Sequence, residues 1–100
     1  MKRLGLALSV TLGMLAGCGV GAPPTATAID ASRAHLALAD LQHGRSLLVG
    51  RCGNCHRPPL PTDHGANEWP EKLDEMAARA NLDVVQRHLI EEYLVTMAAR

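Results

Sequence analysis

The chain is 100 residues long, with ten Lys/Arg against ten Asp/Glu and a formal net charge of zero. That length allows one small domain, and the charge balance, eight basic against ten acidic residues once Lys2 and Arg3 are set aside, excludes a basic nucleic-acid binder. With one Trp, one Tyr and no Phe, such a domain has little bulk for a core of its own, and domains of that kind need a disulfide, a metal or a cofactor as a staple.

Lys2 and Arg3 precede an apolar run from Leu4 to Ala16. Positive charge followed by a short apolar stretch is the pattern of an export signal, and the stretch falls short of the roughly 20 apolar residues that span a membrane. It ends in Leu15-Ala16-Gly17-Cys18, similar to the lipobox of bacterial lipoproteins. Residues 1–17 therefore read as a signal peptide and Cys18 as the lipidated first residue of the mature chain. The alternative is an ordinary signal cleaved after Ala26-Thr27-Ala28, a site far from the end of the apolar run. A lipid anchor holds a protein on a membrane without spanning it, which places this one on a bacterial membrane, facing the periplasm or the cell exterior. Residues 18–35, small, polar and Pro-containing from Gly19 to about Ser32, read as a flexible tether. At roughly 3 Å per residue it would let the domain stand some tens of ångströms away.

The domain then covers residues 36–100. A first helix is expected from Ser32 or Ala37 to Val49, because Leu41, Gly44 and Leu48 recur at three- and four-residue spacing. Gly44 costs such a helix roughly 1 kcal/mol relative to Ala, so its presence points to close approach by another helix. Cys52-Gly53-Asn54-Cys55-His56 follows at once. C-x-x-C-H is the pattern of covalent c-type haem attachment: each thiol forms a thioether to one porphyrin vinyl group, and the following imidazole binds the iron as proximal ligand. Cysteine usage agrees, since Cys18, Cys52 and Cys55 are the only three and none is left for a disulfide. A free dithiol lacks the alternating strands and helices of a thioredoxin-like fold. A zinc site lacks a second cysteine pair and would have to recruit His64 or His88.

Three prolines between Arg57 and Gly65 keep that segment out of helix and sheet. Trp69-Pro70 opens a second helix, with Pro at a first-turn position and Glu71, Asp74 and Glu75 near its electropositive end. Trp69, Leu73, Met76, Ala77 and Ala80 share one face. Met76 is the methionine best placed as distal haem ligand, a soft thioether that favours ferrous iron, with His64 as the alternative. His35, His43 and His88 are expected to face solvent. Trp69 is expected either at a haem edge or as a packing residue at the helix entry, and Arg45, Arg51 and Arg57 surround the motif, where they could neutralise propionates. A third helix begins after Asp83, which forms a capping box with Gln86; its inward stripe is Gln86, Leu89 or Ile90, Tyr93, Leu94 and Met97. No segment alternates with the period of a strand.

Gly44-Arg45-Ser46-Leu47-Leu48, C-G-N-C-H, a proline-rich loop, Trp69-Pro70, Met76 and Ile90-x-x-Tyr93-Leu94 together resemble the small class I-like monohaem cytochromes c, in particular short bacterial forms with a Trp before a Met-bearing helix. The resemblance covers about residues 36–98. It implies an all-α fold of three to four helices wrapped around one covalently bound haem c, with Gly44 and Tyr93 where the first and last helices cross. Leu48 stands where the family often has an aromatic, and the interval from His56 to Met76 is short, so the haem should be less covered on that side. The expected function is single-electron transfer between membrane-associated donor and acceptor proteins by a monomer that catalyses no bond chemistry itself. The rival readings are a haem-based ligand sensor or haem subunit of a larger oxidoreductase, and a thiol-disulfide lipoprotein that uses Cys52 and Cys55 without haem.

Overall fold

The computed structural model describes residues 21–53 and 57–100. Four α-helices make the fold: α1 (Ala28–Ala34), α2 (Leu38–Leu47), α3 (Trp69–Arg79) and α4 (Val84–Ala98). There is no strand among the described residues, so the fold they form is all-α. No helix among them is long and apolar enough to cross a membrane; the expected export segment, residues 1–17, lies outside them.

The core sits where α2 crosses α4. Leu41 from α2 and Leu48 just past its end, with Ile90, Tyr93 and Leu94 from α4, are completely buried. The crossing is tight because Gly44 lacks a side chain: a Cβ there would lie 2.1 Å from the Leu89 carbonyl oxygen and 3.0 Å from Tyr93 Cβ. That is closer than atoms can pack, so only glycine admits this approach. The expected contact between Gly44 and Tyr93 is therefore present.

After Leu47 the helix widens into a π turn, Leu48–Cys52, where the expected single helix to Val49 runs on in a looser form. Such turns are short, and they recur at functional positions. Gly53 ends the turn against its own backbone, since a Cβ on it would meet the Val49 carbonyl oxygen at 2.3 Å. Beyond the motif, Pro61–Asp63 form a short 3-10 turn, and the Asp63 carboxylate accepts from the Leu60 N–H at 2.8 Å. The expected starts of α3 and α4 are observed: Pro70 occupies the first turn of α3, and Asp83 and Gln86 form a reciprocal capping box on α4.

Residues 18–35 were expected to be a tether, and the structure corrects this for the described part. Pro23 and Ala26 are buried, Thr27 caps α1 in a capping box with Asp30, and α1 packs on α2 and α4. The physical reason is polar. Asp30, 3% exposed, accepts from Arg100 Nε at 3.0 Å and Arg100 Nη2 at 2.9 Å, from the Thr27 N–H at 2.8 Å and from Arg33 at 3.3 Å. Each remaining charge is thus met by hydrogen bonds, as a buried carboxylate requires. The Arg100 guanidinium first, then the Thr27 backbone, hold the Asp30 carboxyl far below the usual carboxylate range against the opposing cost of burial. Upstream, Pro23 and Pro24 form a strap over the crossing, where Arg45 Nε donates to the Pro23 carbonyl at 2.9 Å and the Tyr93 hydroxyl donates to the Pro24 carbonyl.

Candidate functional site

The expected haem-attachment motif, Cys52-Gly53-Asn54-Cys55-His56, straddles the boundary of the described residues. Cys52 is described: it closes the π turn, is half-buried, and packs against the core cluster. Its position follows from α2, which the Gly44 crossing fixes against α4. Cys55 and His56, the expected second thioether and proximal ligand, lie outside the described residues, and so does Cys18, the expected lipidation site.

Met76 stands on α3, half-buried, and packs against the same core cluster as Cys52. Its neighbours on that face grade outward, with Trp69 and Leu73 completely buried and Ala77 and Ala80 half-buried. α3 holds this attitude through Arg87 of α4, whose Nη2 donates to the Pro70 carbonyl at 3.1 Å and pairs with Asp74 at 2.6 Å.

His64, the alternative ligand, is half-buried in the loop before α3. Its ring stands edge-on to Trp69 with centroids 4.8 Å apart, and Nδ1 is 3.8 Å from a Glu68 carboxylate oxygen. Trp69 itself is completely buried and its Nε1–H donates to the Pro61 carbonyl at 3.0 Å. The indole thereby pins the proline-rich loop to the start of α3. His35, His43 and His88 are exposed, as expected.

The three arginines around the motif have separate employment. Arg45 holds the strap, Arg51 Nη2 reaches the Gln86 side chain at 3.5 Å, and Arg57 is exposed beside Gly21. Burial pushes the Tyr93 phenol up to about 12, against the opposing charges of Arg45 and Arg100. An open groove is lined by Arg33, Leu36, Pro70, His88, Glu92 and Val95 among others, and of the described residues none of Cys52, His64 and Met76 lines it.

Sequence reasoning missed the Asp30 cluster. Its signal was present, because Thr27 stands three residues before Asp30 in the pattern of a helix cap, yet its partner Arg100 is 70 residues away. No protein-family model, no curated protein and no solved structure matches the chain.

Proposed function

We propose that this chain is an exported, lipid-anchored monohaem c-type cytochrome that carries single electrons between membrane-associated redox proteins. The observation that supports this best is that Cys52 and Met76 each pack, half-buried, against the core cluster although 24 residues separate them in sequence. The chemistry of the donor set fits as well: two thiols at the attachment spacing, an imidazole directly after them, and a thioether.

Cys52 and Cys55 would hold the porphyrin through thioethers, with His56 and Met76 as the axial ligands. Haem c supplies a one-electron iron couple once attached. The protein's part is positional. The Gly44 crossing fixes the helix that ends in Cys52, and the α3–α4 contacts through Arg87 fix the helix that carries Met76. Holding both ligand-bearing elements rigidly keeps the ligation geometry alike in the two oxidation states, which speeds electron exchange. The half-open margin around Met76 and Ala80 leaves an edge toward partners.

The reading is tested by producing the chain in a host that matures c-type haem. A haem-staining band that survives denaturing electrophoresis is expected, because thioethers do; a colourless band ends the proposal. Met76→Ala is expected to change the visible spectrum and lower the midpoint potential, since a neutral thioether favours ferrous iron. An unchanged spectrum and potential would move the distal ligand away from Met76. Cys18→Ser is expected to shift the protein from the membrane to the soluble fraction, and persistent membrane association counts against the lipid anchor.

A further inference from the structure

The described chain begins at Gly21, and Gly21 is already held against the folded domain. A Cβ built on it would lie 2.6 Å from Arg57 Cδ and 3.3 Å from Arg57 Cγ, so the backbone at residue 21 touches the side chain of the residue that directly follows the haem-attachment motif. Two residues later the strap is fixed firmly: Pro23 is buried, its carbonyl accepts from Arg45 at 2.9 Å, and the Pro24 carbonyl accepts from the Tyr93 hydroxyl. The chain therefore has no free length between Gly21 and the domain.

Cys18 lies three residues before Gly21, and three residues span at most about 11 Å even when fully extended. That distance is comparable to the Debye length of about 8–10 Å at physiological salt. If residue 18 sits in the headgroup region, Gly21 and the Arg57 side chain beside it are inside the range of the membrane's surface field. Two cations, Arg45 and Arg57, touch the strap through which the anchor is joined to the domain. Cations near an anionic leaflet are attracted to it, so the short leash and the charge act in the same sense.

We infer that the face formed by the Gly21–Pro24 strap, Arg45 and Arg57 lies against anionic phospholipid headgroups, which turns the haem-attachment end of the domain toward the membrane instead of letting it swing on a long tether. This rests on the reading of Cys18 as the lipidated residue and is independent of whether haem is bound. Its consequence for that function is that electrons enter or leave at the bilayer surface, to a partner seated in the membrane.

The test uses the full chain carrying Arg57→Lys, produced with its own export segment and reconstituted in vesicles of phosphatidylglycerol and phosphatidylethanolamine. Modification of the lysine at position 57 by a membrane-impermeant amine reagent is followed by mass spectrometry, on vesicles and in detergent. A second form carries ten Gly/Ser residues inserted between Val20 and Gly21, which adds a coil of roughly 17 Å. Labelling is expected to be about fivefold slower on vesicles than in detergent for the short-leashed chain, and nearly equal in the two for the inserted chain, because the headgroup layer shields only what is held within its reach. Co-flotation with vesicles separates the two ways to fail. A chain that does not float overturns the lipid anchor and this inference with it; a chain that floats yet labels equally on vesicles and in detergent overturns only the membrane-facing surface. Equal protection with and without the insertion also overturns it, since the leash would then be irrelevant.

Discussion

α4 is gripped at two places by the N-terminal part of the chain, and the two grips use opposite physics. At the α2 crossing the contact is steric and apolar: Leu41, Leu48, Ile90, Tyr93 and Leu94 are completely buried, and the backbones meet through a missing Cβ at Gly44. Near the end of α4 the contact is ionic. Asp30 of α1 is buried yet charged, held by Arg100 just past α4, while Arg33 beside it donates to the Thr96 carbonyl at 3.1 Å. The first grip depends on shape. The second depends on charge and is indifferent to the size of its neighbours. A domain with few large side chains uses both, because the apolar area it can bury is limited.

The shape-dependent grip is broken by one methyl group. Gly44→Ala places a Cβ 2.1 Å from the Leu89 carbonyl oxygen, backbone that cannot rotate away, so α2 and α4 must separate. Alanine gains about 1 kcal/mol of helix propensity, but overpacking of this kind typically costs about 1–3 kcal/mol and more where backbone must move. A net loss of about 2 kcal/mol in a urea titration is expected. A stability equal to or above that of the parent would show that the helices do not approach this closely. The same substitution is expected to loosen the end of α2 that carries Cys52.

How each grip reads in the sequence follows from the same difference. Leu41, Gly44 and Leu48, and Ile90, Tyr93 and Leu94, repeat at helical spacing, so their faces are visible as periodicity. The capping box of Asp83 and Gln86 and the Trp69-Pro70 helix start are visible because each is confined to three or four residues. α1 is too short, at seven residues, to display a period, and its Pro-rich approach has the composition of a linker. What orders it comes from Arg100, Arg45 and Tyr93, and no local pattern announces a partner that distant. At the candidate site the spacing of Cys52, Cys55 and His56 was legible as chemistry. That Cys52 and Met76 each pack against the core cluster, or that Trp69 is tied to the Pro61 carbonyl, is a product of tertiary packing.

The charge-dependent grip is broken by Asp30→Asn, which keeps the shape of the side chain and removes the charge facing Arg100 and Arg33. A fall in Tm of roughly 5 °C at neutral pH is expected for a domain this small, with the α4 crossing left intact. The pH dependence identifies the cause. The carboxyl is held in the folded state well below its unfolded value near 4, so its stabilisation is complete above that value and declines as the pH falls below it. The parent chain should therefore lose stability on acidification from about pH 4 downward, and the Asn variant should show a smaller acid loss. Two acid curves that run parallel would mean that Asp30 is not the group responsible.

Tyr93 links the crossing to the strap, since its ring is buried in the crossing while its hydroxyl donates to the Pro24 carbonyl. Tyr93→Phe keeps the first contact and removes the second. Because Pro24 is exposed, its carbonyl can turn to water, and the cost at neutral pH should be the net worth of one hydrogen bond, about 1 kcal/mol. Alkaline titration separates this from a packing effect. Burial raises the phenol from 10 to about 12, so the folded state holds the neutral form while the unfolded chain ionises. Stability is fully present below pH 10 and is lost as the pH rises toward about 12. The parent chain should thus approach the stability of the Phe variant through that interval, and amide exchange in α1 should quicken in the variant before exchange at the crossing does. If instead the two chains lose stability in parallel above pH 10, the phenol is not desolvated in the folded state, and the strap is held by Arg45 alone.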